Sequence, residues 1–84
     1  MKIDEQKKIA TSVIAEISGT DAGEIQPQMD LVAELGIDSP KALQLLVELE
    51  DRLEIEISDE EAAGLDTVGD IYQFLEARSV EAKG

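Results

Sequence analysis

The feature that most constrains this chain is a stripe of apolar residues at helical spacing: Ala42, Leu45, Leu46, Leu49 and Leu53, with acidic residues between them. Intervals of three and four gather such residues on one side of a helix, whereas a strand would scatter them over both faces. The period recurs twice. Ala10, Val13, Ile14 and Ile17 share a face bordered by Ile9, opposite Lys7, Lys8, Ser12 and Glu16, and Val68, Ile71, Tyr72 and Leu75 form a third stripe. "LEIEI", Leu53 to Ile57, alternates, but no second segment is available to pair with it. High charge and few aromatics suit a disordered chain. Against that, 43% of the residues are apolar and they keep helical register, which predicts a folded one.

Punctuation between the stripes sets the element boundaries. Asp4 is the expected cap of a first helix running to about Ser18, ended by Gly19. Gly23, Pro27 and Asp30 interrupt the period over a long connection to Asp38. Ile25, Met29, Leu31, Leu35 and Ile37 are too apolar for a solvated linker, so this connection is expected to lie pinned over the core, with a short turn near Leu31 to Leu35. Ser39 is the expected N-cap of the second helix, with Pro40 at its first position, where a missing N–H is harmless. Ser58 and Glu61 fit a capping box for a very short helix stopped by Gly64. Thr67, with Asp70 three residues on, caps the last helix, and fraying is expected from Ser79. The predicted architecture is an all-α, four-helix bundle: three main helices, one short helix and a long first loop, in one domain over residues 1–84.

The inventory excludes much chemistry. The chain has neither cysteine nor histidine, so disulfides, thiol nucleophiles, His-based triads and the commonest metal ligands are absent. Its formal charge of -13 argues against nucleic acid, which requires clustered Lys and Arg, and against anionic membranes. Partners with basic surfaces are favoured instead. "MKIDEQKKIATS" lacks the apolar run of a signal peptide, and no segment is apolar enough to span a bilayer. A cytoplasmic protein without membrane insertion, and a monomer, is the expectation.

"GIDSPKAL", Gly36 to Leu43, poses the functional question. Ser39 reads plainly as a cap. It also places a hydroxyl where unpaired backbone N–H groups and the helix dipole favour negative charge, so a phosphodiester on that oxygen would be well placed. Lys41 and the amides of Lys41 and Ala42 are expected to contribute; Pro40 cannot donate. Nothing nearby activates the serine as a nucleophile, since Asp38 is a weak base. Ser39 therefore makes sense as a residue modified by another enzyme.

"LGIDS", followed by an acidic second helix, "ISDEE" and "TVGDI", resembles the acyl carrier protein family over roughly Leu31 to Arg78. The resemblance implies that Ser39, flanked by Asp38 and Lys41, carries 4'-phosphopantetheine delivered from coenzyme A by a phosphopantetheinyl transferase. It implies acyl groups borne as thioesters on the arm's thiol, and aliphatic groups that can part to shelter an acyl chain. It implies no catalytic activity of the chain's own.

Glu48, Glu50, Asp51 and Glu54 lie on or beside the second helix, next to Leu43 and Val47, which are surplus to the core stripe. A small apolar contact rimmed by charge suits transient docking, and basic patches on acyl-processing enzymes would be its counterparts. Pro40, Lys41 and Gln44 depart from the family's usual apolar and acidic residues, which suggests a specialised carrier with dedicated partners. The rival readings are an aminoacyl or peptidyl carrier, a divalent-cation binder without an EF-hand loop, and an acidic adaptor with an unmodified serine.

Overall fold

The computed structural model describes residues 2–83, with side chains through Arg78. Its helices are α1 (Ile3–Ser18), α2 (Ser39–Leu53), α3 (Asp59–Ala63) and α4 (Val68–Lys83), with a 3-10 turn at Ala22–Glu24. The expected all-α layout is the observed one, and the backbone of α4 runs on as helix past Ser79, from which fraying is expected, to Lys83. No described helix is long and apolar enough to cross a membrane.

The three stripes meet in one core. Ala10, Val13 and Ile14 of α1 pack with Leu45, Leu49 and Leu53 of α2 and with Val68, Ile71 and Leu75 of α4. Each large aliphatic side chain so buried contributes about 1.5–3 kcal/mol. Ile9, Ile17, Ala42 and Tyr72 border this core, half-buried. α1 contacts both α2 and α4. Along its seam with α4, the Thr11 hydroxyl donates to Lys7 O at 2.8 Å, which leaves the Tyr72 hydroxyl to donate to Thr11. Lys7 Nζ meets Glu76 Oε2 at 2.6 Å, and that hydrogen bond raises the lysine pKa above its ordinary value.

The start of α1 differs from expectation. α1 starts ahead of Asp4: Lys2, extended and without a side-chain cap, takes the cap position. The earlier start draws Ile3 against the core, and Asp4 and Glu5 are left to favour the positive end of the dipole. α2 ends at Leu53, and its C-cap Glu54 sits at φ 54°, ψ 49°, left-handed geometry that glycine adopts more readily. At α3 the capping box of Ser58 and Glu61 is complete. The Ser58 backbone N–H, first among the causes, holds the Glu61 carboxyl below its usual range. α3 buries no side chain, and Arg78 Nη1 reaches Glu61 Oε2 at 3.7 Å across to α4.

The long connection is bolted to the start of α4. Gly69 N–H donates to Pro27 O at 2.7 Å, Val68 N–H to Met29 O at 3.1 Å and Leu31 N–H to Asp66 O at 2.9 Å, with an antiparallel bridge between Asp30 and Thr67. Two orphan donors of α4's first turn are thereby satisfied by backbone carbonyls. Ile25, Leu31, Leu35 and Ile37 are buried beneath this seam. Thr67 and Asp70 complete the expected reciprocal cap: Asp70 Oδ2 accepts from Asp66 N–H at 3.0 Å and Thr67 N–H at 3.1 Å, and Thr67 Oγ1 accepts from Asp70 N–H at 3.1 Å.

A Cβ at Gly69 would stand 3.0 Å from Pro27 O, the oxygen that its own N–H already holds close. Gly69→Ala is therefore expected to lower stability by about 1 kcal/mol despite alanine's better helix propensity, read from the urea midpoint. The N–H donors of Asp66, then Thr67, hold the Asp70 carboxyl below its ordinary value. A depressed carboxylate stabilises above its unfolded pKa and stops doing so as pH falls through the folded one. The stability gap between wild type and Asp70→Ala is thus expected to be widest at neutral pH and to close in acid, as followed by urea unfolding across pH.

Candidate functional site

The start of α2 does not use Ser39 as its cap. Asp38, extended at φ -77°, ψ -176°, takes that position, and its Oδ1 accepts the Lys41 N–H at 3.1 Å. Ser39 is the first helical residue and Pro40 the second. The expected placement of Ser39 as N-cap and Pro40 at the first position is corrected by one residue. A charged carboxylate accepts a backbone N–H more strongly than a hydroxyl does. Proline loses nothing at the second position either, since that N–H is also an orphan.

This shift frees the serine. Ser39 is exposed, and its hydroxyl makes no hydrogen bond to any described residue. The first-turn amides are committed elsewhere. The Lys41 N–H goes to the Asp38 carboxylate, the Ala42 N–H donates to Asp38 O at 2.7 Å, and Pro40 has none. The amides of Lys41 and Ala42 are therefore not free to hold a phosphate on Ser39, contrary to expectation. The Lys41 ammonium is exposed and in no ion pair with a described residue, so it is the cation at hand.

Upstream, Gly36 turns the chain. Its φ of 65° lies in the left-handed region that favours glycine. Leu35 and Ile37 on either side are buried, so Asp38 and Ser39 emerge at the surface directly after an anchored residue.

The structure divides the expected docking set. Leu43 and Val47 are 64% and 54% exposed. At helical pitch, Leu43, Val47, Asp51 and Glu54 fall within a sector of about 80°, with Asp51 and Glu54 exposed beside the two apolar groups. Glu50 falls beside this sector, about 20° from Leu43, and Glu48 lies off it. Glu48 pairs with Arg52 at 3.2 Å, and Arg52 also reaches Glu16 of α1 at 3.2 Å, a surface bridge between the two helices. Glu50 Oε2 accepts the Ile57 N–H at 2.9 Å and pins the chain after α2. Val32, 65% exposed between buried Leu31 and Leu35, escapes the sequence reading because it lies in a turn where no period sorts inside from outside. Among the described residues, no group of three or more acidic side chains is gathered to hold a metal ion.

The two oxygens at the start of α2 are separable by experiment. Asp38→Ala should cost about 1 kcal/mol through the lost cap, whereas Ser39→Ala should leave stability nearly unchanged, both measured by chemical denaturation.

Comparison with known proteins agrees with this geometry. The sequence profile of the family described as "Phosphopantetheine attachment site" matches residues 9–75, which include the whole of α2. A solved structure designated an acyl carrier protein, from Mycobacterium tuberculosis, is similar at 41% identity and a TM-score of 0.75, over 81% of this chain and 90% of that one. The acyl carrier protein from Enterococcus faecalis is similar at 28% identity and a TM-score of 0.76, over 89% of this chain and 95% of that one. The chain belongs to the acyl carrier protein family, the generally non-catalytic carriers to which 4'-phosphopantetheine is covalently attached.

Proposed function

We propose that Ser39 is the attachment point for the arm and that the chain is a specialised acyl carrier of the cytoplasm. The observation that carries this reading is the division of labour at the start of α2. Asp38 caps the helix, so the neighbouring hydroxyl is exposed and has no structural bond to give up. The residues present fit the group: an unengaged oxygen, a cation at Lys41, and space on the solvent side.

Loading requires an enzyme, because the site holds no base of its own. The Ser39 oxygen bonds to the pantetheine-side phosphorus of coenzyme A, and the pyrophosphate P–O bond breaks. Adenosine bisphosphate leaves, and the serine proton passes to a base on the transferase. Once bound, the arm supplies a thiol on which acyl groups are carried as thioesters. The chain's own residues present it: the buried Leu35 and Ile37 fix the strand of backbone that carries Ser39, and Lys41 offsets charge beside the phosphate.

Leu43 and Val47, flanked by Asp51 and Glu54, form the surface that acyl-processing enzymes would meet through basic patches. Pro40, Lys41 and Gln44 are all exposed, so a partner would encounter each of them. Their loss of apolar and acidic character favours dedicated partners over the general fatty-acid machinery. An aminoacyl or peptidyl carrier would use the same oxygen, and the thioester cargo of native protein distinguishes the two.

Incubation with coenzyme A, Mg²⁺ and a broad-specificity phosphopantetheinyl transferase should add one phosphopantetheine, mapped to Ser39 by mass spectrometry and absent in Ser39→Ala. Unmodified wild-type protein would overturn the attachment reading. Elongation of acyl chains on the loaded protein at full rate by standard fatty-acid synthase enzymes would overturn the specialised one.

A further inference from the structure

Three large apolar side chains stand more than half exposed among the described residues: Leu43, Val47 and Val32. The first two follow Ser39 on the outer face of α2. Val32 precedes it, on the turn of residues 31–35. We propose that Val32 is a second anchor for the enzyme that loads Ser39, and not for enzymes that act on the carried acyl group. This inference rests on Ser39 being the attachment point.

The turn is rigid. Asp30 Oδ1 accepts the N–H groups of Val32 at 2.9 Å and Ala33 at 2.8 Å, and Glu34 Oε2 accepts the Asp30 N–H at 2.8 Å. Leu31 N–H is tied to Asp66 O, and Gly36 N–H to Val32 O at 3.0 Å. Leu31 and Leu35 are buried on either side. Val32 is thus held out on a scaffold fixed from both ends, which lowers the entropic cost of using it in a contact.

The turn is also close to Ser39. Ile37 N–H donates to Leu31 O at 2.9 Å. Summing that bond and the two residues to Ser39 puts the Val32 Cα within about 15 Å of the Ser39 Cα. Leu43 lies one helical turn beyond the serine, so exposed apolar groups precede and follow it along the chain.

Proximity discriminates between partners. An enzyme working on the thioester meets the distal end of a long flexible arm and can sit to one side of α2. The loading enzyme must bring its reacting atoms onto Ser39 Oγ itself, and so must close over the surface around that atom. It must also hold the phosphates of coenzyme A, which calls for cationic side chains. Such a surface complements a chain of formal charge -13. A cationic surface with an apolar pocket on the upstream side of the serine is the occupant that fits.

The test compares two reactions on the same variants. Unmodified wild-type, Val32→Ser and Val32→Leu proteins are loaded from coenzyme A by a phosphopantetheinyl transferase under initial-rate conditions. Each is then loaded to completion with excess enzyme, and acyl transfer from acyl-coenzyme A onto the arm's thiol by an acyltransferase is measured. Val32→Ser should raise the KM for loading about fivefold, with thioester transfer changed less than about twofold and with loading restored in Val32→Leu. Loading indifferent to Val32→Ser, or an equal loss in both reactions, overturns the anchor. Wild-type protein that takes up no arm overturns the attachment reading and this one with it.

Discussion

The rest of the molecule depends on the backbone seam between the long connection and the start of α4. A helix N-terminus presents donors with no partner inside the helix, and here Val68 and Gly69 find theirs in the carbonyls of Met29 and Pro27. The same contact crowds any side chain at residue 69, where a Cβ would stand 3.0 Å from Pro27 O. Because the connection is fixed there, Leu31, Leu35 and Ile37 are delivered to the core, and the chain arrives at α2 from a defined direction. The place of Ser39 at the surface is a consequence of hydrogen bonds made by residues outside its own helix.

Two neighbouring oxygens carry separate duties. Asp38 closes the helix end with a charged acceptor, and Ser39 stands one residue further in with its hydroxyl free. Had Ser39 been the cap, derivatising its oxygen would have removed a bond that the fold uses. With Asp38 in that role, derivatising Ser39 would leave the cap bond of α2 intact. The same separation appears on the acidic helix. Glu48 and Glu50 are each engaged within the chain, to Arg52 and to the Ile57 N–H, while Asp51 and Glu54 are exposed beside Leu43 and Val47 without such contacts to described residues.

Much of this was legible in the sequence, for reasons that differ by element. Periodicity located the three long helices because Leu45, Leu49, Val13 and Ile71 are buried by a geometric rule that needs no knowledge of neighbours. The capping boxes at Ser58 and Thr67 were readable because both partners are local. Failures came where two residues compete or where the partner is distant. Asp38 and Ser39 are both good caps, and Pro40 fits either register, so local preference could not choose between them. The crowding at residue 69 was invisible because Pro27, which causes it, is remote along the chain. Asp4 lost the cap position because Ile3 gains contact with the core when the helix starts earlier. Leucine and valine at residues 43 and 47 were readable as surplus to a stripe, whereas Val32 had no stripe to be surplus to.

The internal ion pairs have a consequence for how copies of the chain meet. Lys7, Arg52 and Arg78 are each held against carboxylates of the same molecule, so few cations are left to answer the acids of a second copy. Leu43 and Val47 are an invitation to stick, yet like molecules approach one another as like-charged particles, and the nearer they come the more strongly they are turned away. Apolar attraction and like-charge repulsion coexist on one face because the attraction acts only at contact while the repulsion acts before it.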